Sequence, residues 1–175
     1  MLIGGALAIG IVGAIGVQFL LPEASARQAD SGLTAQEATA RAEAFAAKGA
    51  VAFKLVDRED QPAAVAAMNL PDTQREALDR DLTQQDVRLA YVTLWDDVAE
   101  DGDVVSLRSH GFTLQVALTN APQQFTLPVS RAGIDMDGIQ DGGGGITVAI
   151  QAGNDPVLAP LLREGQTVRI PVALP

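Results

Sequence analysis

The 175-residue chain carries 22 acidic and 12 basic side chains, one histidine and no cysteine, for a formal charge of −10. A surface so rich in carboxylates repels nucleic-acid phosphates and anionic headgroups, both of which demand Lys and Arg, so nucleic-acid binding is excluded. A thiol nucleophile and the common zinc sites are excluded too, because neither can be built from a single histidine and no cysteine.

The first element is an apolar run, MLIGGALAIGIVGAIGVQFLLP, in which Leu2 to Leu21 is 20 residues without a charged side chain. A helix rising about 1.5 Å per residue would match with it the roughly 30 Å hydrocarbon layer of a bilayer. Ala24-Ser25-Ala26 has the A-x-A form of a signal cleavage site. Yet the run is longer than a signal h-region and no Lys or Arg precedes it, so the expectation is an uncleaved single-pass anchor over 1–22, with the lipid bilayer as partner. Ala6, Gly10 and Gly13 fall in one stripe beside a bulkier ridge of Leu7, Ile11 and Ile15. Small stripes let a second helix approach closely, so these three are candidate docking residues for integral membrane subunits, with a plain tether as the alternative. The positive-inside rule has few charges to act on, and the expectation from the short N-terminal tail is that the bulk of the chain lies outside the cytoplasm, which is the periplasm if the cell is Gram-negative.

Residues 23–33 are small and polar and read as a linker. A helical section follows over 34–86. TAQEATARAEAFAAKG opens with a Thr34/Glu37 capping box and stops at Gly49. AVAFKLV at 50–56 alternates like a strand, and two short helices are expected at about 62–69 and 72–83, the second opening at Pro71-Asp72. From Val87 the period changes to two. Seven short runs, VRLAYVTLWD, DVVSLRSHG, FTLQVALTN, QQFTLPVS, AGIDMDGI, GITVAIQAG and QTVRIPVAL, alternate with turn residues and predict an antiparallel β-sandwich over 87–175. In FTLQVAL, Phe112, Leu114, Val116 and Leu118 should be buried while Thr113, Gln115 and Ala117 face water. The fold class is therefore mainly β with an N-terminal helical part, behind a single transmembrane helix.

The stretch WDDVAEDGDVVSLRSHGFTLQVALTNAPQQFTLPV, within about 92–130, resembles a small β-sandwich module of bacterial secreted and membrane proteins, with a Trp-Asp…Glu-Asp-Gly-Asp pattern followed by two strands. Ser109-His110-Gly111 stands here where that module turns on Asn-Gly. The resemblance implies a binding or structural role and brings no catalytic residue.

Acids concentrate in two loops. Asp96, Asp97, Glu100, Asp101 and Asp103 form one group and Asp135, Asp137 and Asp141 another. Loops at one end of a sandwich would let Asp101, Asp103, Asp135, Asp137 and Asp141 surround a hard cation such as Ca²⁺. Against this, DMDGIQD lacks EF-hand order, and Asp in turns commonly caps its own backbone. The Gly142–Gly145 run is no phosphate cradle, since neither Lys-Ser/Thr nor a helix follows, and reads as a flexible hairpin or bulge. His110 is a candidate base only if folding brings a serine to it, and otherwise sits at a hairpin tip. Trp95 reads as a core anchor at a strand end, with a sugar platform as the rival. The expected function is a non-catalytic accessory subunit of a larger membrane complex, without a cofactor. Its Asp96, Asp97, Glu100, Asp101 and Asp103 loop would contact subunits or a basic soluble protein outside the membrane. A secreted or tethered Ca²⁺- or ligand-binding module is the alternative, and a hydrolase a second one.

Overall fold

The computed structural model describes residues 32–174, so the apolar segment, its Ala6, Gly10 and Gly13 stripe and most of the linker lie outside the described residues. Among the described residues no helix is long and apolar enough to cross a membrane. The described chain is mainly β, with several antiparallel sheets and three helices.

Helix α1 (Ala35–Lys48) has the ends expected of it. The Thr34 hydroxyl accepts from the Glu37 N–H at 3.3 Å and the Thr34 N–H donates to Glu37 Oε2 at 2.7 Å. The Thr34 N–H, and after it the Thr34 hydroxyl, which also donates to Glu37 Oε2 at 2.7 Å, hold the Glu37 carboxyl below its ordinary pKa. Gly49 ends the helix with φ +71, a conformation that costs other residues a Cβ clash. Thr34→Ala should lower the thermal unfolding midpoint by about 2–4 °C, read by circular dichroism; an unchanged midpoint would mean the cap bonds are matched by water.

The 50–56 segment forms two strands rather than one. β1 (Val51–Ala52) pairs in parallel with β11 (Val172–Ala173), whereas β2 (Lys54–Leu55) pairs antiparallel with β3 (Arg88–Trp95). The break falls at Phe53, whose ring is buried, so the segment changes partner where a side chain must enter the core. Helices α2 (Gln61–Ala67) and α3 (Asp72–Gln84) follow as expected, α3 closing on Gln85 in the left-handed region at φ 64.

Two sheets make the sandwich-like body. One orders β10 (Thr167–Ile170), β7 (Ile134–Gln140), β4 (Val104–Ser109) and β5 (Phe112–Ala117). The other orders β2, β3, β8 (Ala149–Ala152) and β9 (Asp155–Leu158), with β6 (Gln123–Val129) on the second side of β3. Val92, Leu94, Leu127 and Ile150 of one sheet meet Val105, Leu107, Val116, Ile134 and Met136 of the other in one core. The alternation expected of β5 is present: Val116 and Leu118 are buried, Phe112 and Leu114 half-buried, and Thr113, Gln115 and Ala117 exposed. β9 is an unexpected strand. It contains Pro156, and its edge position makes the missing N–H harmless.

Strand β3 feeds two cores from its opposite faces. Ala90, Val92 and Leu94 enter the sandwich, while Leu89 joins Val56, Val65, Leu78 and Val87 under α2 and α3, with Tyr91 and Phe112 at the margin. Helices α2 and α3 are thus a cover on the outer side of β3. The β4–β5 hairpin turns on His110 (φ 46) and Gly111 (φ 78), between the paired Ser109 and Phe112. Two left-handed residues make the two-residue loop that suits strand twist.

Candidate functional site

One end of the sandwich carries the loop 96–103, between β3 and β4, and the loop 141–148, between β7 and β8. The first is fastened at both ends, where the Asp96 N–H donates to Thr119 O at 2.9 Å and the Leu118 N–H to Asp103 O at 2.8 Å. Those bonds turn two of its carboxylates inward. Asp96 is 2% exposed and Asp103 1% exposed.

Asp96 Oδ1 accepts from the N–H groups of Val98 and Ala99, at 3.0 and 3.2 Å, and from the Thr147 hydroxyl at 2.6 Å. Its Oδ2 is sealed from solvent and has no hydrogen-bond partner among the described residues. Asp103 accepts from the Gly142 N–H at 2.9 Å and the Thr147 N–H at 3.3 Å. Burial pushes the Asp103 carboxyl up to about 6; the bond from Gly142 opposes this, and the neighbouring Asp101 carboxylate adds to it. Asp101 is exposed, and one carboxylate oxygen from each of Asp96, Asp101 and Asp103 lies within 4.8 Å of the others.

The glycine run makes this convergence possible through close approach. A Cβ on Gly142 would overlap the Asp101 carbonyl, and Gly145 sits at φ +96 against Leu161. Asp141 Oδ1 accepts from the N–H groups of Gly143 and Gly145, both at 3.0 Å. Of the flexible hairpin or bulge expected here, the hairpin is corrected: the run crosses from β7 in one sheet to β8 in the other, and at Gly142 only glycine fits where it passes Asp101.

The other acids have separate partners. Asp97 meets Arg41 in a two-pronged pair, Nη1 to Oδ2 at 2.8 Å and Nη2 to Oδ1 at 2.6 Å. The same guanidinium donates to Val148 O at 2.9 Å and, through Nε, to Ala159 O. Arg41 is the buried residue of α1, so this helix is attached to the sandwich by a charge. Glu100 Oε2 accepts from the Asn120 N–H at 3.0 Å. Of the five acids expected to meet a partner, Asp96 and Asp103 are buried and Asp97 is tied to Arg41, which leaves Glu100 and Asp101 at the surface.

The expected five-residue cation set is not brought together. Asp135 pairs with Arg169 at 2.8 Å, and Asp137 pairs with Arg108 at 2.5 Å and accepts from the Thr167 hydroxyl at 2.5 Å. Bonds from those guanidinium groups hold both carboxyls below their ordinary range. Asp141 caps the glycine run, so Asp101 and Asp103 keep company with Asp96 instead. Sequence reasoning missed Arg41 and Thr147; a lone arginine in an alanine-rich helix carries no mark of being buried.

His110 Nε2 lies 2.8 Å from Asp81 Oδ2 of α3, fixing the hairpin tip to the helical cover. The neighbouring Ser109 hydroxyl donates to Pro128 O at 2.6 Å on the buried side of the strand. The arrangement joins His110 to a carboxylate but not to that serine. Trp95 is half-buried at the end of β3, opposite Ala149. The segment 92–130 that carries the module-like pattern spans the end of β3 through β6. No family model, curated protein or solved structure matches this chain.

Proposed function

We propose that the protein is a non-catalytic accessory subunit of a larger membrane complex, tethered by residues 2–21 and holding its acidic body on the extracytoplasmic side. The observation that supports this is where the described chain enters the body. A Cβ on Gly32 would lie 2.9 Å from Val98 Cγ1, so the chain comes in against the acidic loop itself. Ten residues from 22 to 31 reach at most about 35 Å when extended. A bilayer holding Leu2–Leu21 would therefore keep the 96–103 end within that distance of its surface, with Glu100 and Asp101 outermost. Subunits or a soluble protein presenting Lys or Arg suit that surface, and the contact would weaken with salt.

In cells expressing the full chain, the product should remain with the membrane after alkaline washing and retain residues 1–26 by mass spectrometry. Gly10→Leu with Gly13→Leu should release the subunits that co-purify in mild detergent while leaving the chain in the membrane. A soluble mature product starting at Arg27 would overturn the tether, and unchanged co-purification would overturn helix docking.

A further inference from the structure

We propose that Asp96, Asp101 and Asp103 together bind one divalent hard cation, Ca²⁺ by size, at the loop end of the sandwich. This stands apart from the membrane reading, since all three ligands belong to the folded body.

The first support is spacing. Three carboxylate oxygens within 4.8 Å of one another fit around Ca²⁺, whose oxygen ligands at about 2.3–2.6 Å place opposite members about 4.6–5.2 Å apart. Mg²⁺ would draw opposite ligands to about 4.2 Å and demand octahedral order, which a cluster with two members fixed by backbone bonds meets less easily.

The second and independent support is the stranded oxygen of Asp96. Its Oδ1 already accepts three hydrogen bonds, from Val98, Ala99 and Thr147. Its Oδ2 is shut off from solvent with no partner among the described residues. A buried anionic oxygen without a donor is costly, and proteins leave few such groups unpaired. A cation gives that oxygen what no N–H does. It also lies between the like-charged carboxylates of Asp101 and Asp103, whose oxygens are within 4.8 Å of each other.

Each member has a distinct part. Thr147 links the two buried ligands, giving its hydroxyl to Asp96 and its N–H to Asp103, so their relative position is fixed before any ion arrives. Asp101 is exposed and supplies the route of entry. Ca²⁺ takes six to eight oxygens, so water completes the sphere on the Asp101 side.

The test uses the full chain in mild detergent at pH 7.5. Calorimetric titration with Ca²⁺ should show one site per chain. Tb³⁺, a luminescent stand-in for Ca²⁺, should give saturable emission on excitation of Trp95, the protein's one tryptophan, which directly precedes Asp96. Ca²⁺ should displace it. Asp101→Asn, at an exposed position, should weaken both titrations at least tenfold, while Asp155→Asn on β9 should change neither. Absence of saturable Ca²⁺ heat overturns the proposal, as does an Asp101→Asn chain that titrates like the parent. Equal losses in the Asp101 and Asp155 variants would show diffuse surface attraction and overturn it too.

Discussion

Arg41→Met is expected to lower the free energy of unfolding by about 3–5 kcal/mol, measured by urea or guanidinium titration. Methionine keeps the length of the stem and removes the charge. Asp97, whose side chain is 15% exposed, would then lose its partner, the Ala159 carbonyl would lose the Arg41 donor, and the Val148 carbonyl would keep only the Ala159 N–H. The cost is thus mostly that of groups left unpaired rather than of one attraction lost. Adding Asp97→Leu removes the stranded charge, so the double variant should recover part of the loss. A single-variant loss under about 1 kcal/mol would place this pair with ordinary surface ion pairs and leave the packing of Phe45 on the core as what holds α1.

Without added divalent cation, stability should fall by about 1–2 kcal/mol between pH 4 and pH 7 as the Asp103 carboxyl beside Asp101 ionises. The Asp103 carboxyl titrates at about 6 when folded, against 3.8 as the ordinary value. Between those two values the folded chain holds more protons than the unfolded one, so unfolding becomes easier as pH rises; above both, the penalty is complete. The groups around it are Asp101, the Gly142 and Thr147 amides and, through the Thr147 hydroxyl, Asp96. Asp135 and Asp137 work in the opposite direction. Their lowered values give stability that is present above the ordinary carboxylate range and is lost as pH falls through the folded values. Stability should therefore be greatest near pH 4–5, with an acid limb from the arginine-paired acids and a neutral limb from Asp103. Urea midpoints from pH 4 to 7.5 would show it, and Asp103→Asn should flatten the neutral limb. A parent chain with no decline above pH 5 would contradict the burial of Asp103 as an acid.

What the sequence disclosed follows from how local each signal is. The ends of α1 were readable because capping acts over three or four residues: Thr34, Glu37 and Gly49 carry it themselves. The faces of β5 were readable because alternation is a property of adjacent positions. Pairing is not local. Nothing in AVAFKLV shows that Phe53 divides it between two partners, or that Pro156 is tolerated because β9 lies at an edge. The same limit governed the acids. As a string they differ little, and only folding separates Asp135 and Asp137, facing Arg169 and Arg108 across strands, from Asp97 on Arg41 and from Asp96, whose Oδ2 has no partner among the described residues. The apolar segment 1–22, expected from its hydropathy to span a membrane, lies outside the described residues.

The pairing of β1 with β11 joins Val51 to Val172 and Ala52 to Ala173. A chain made or delivered N-terminus first keeps β1 without its partner, Val51 uncovered, until the segment through Ala173 has emerged. Closure over such a sequence distance is slow. The β1–β11 pairing therefore closes late, and loss of β11 would leave Val51 without its cross-strand neighbour Val172.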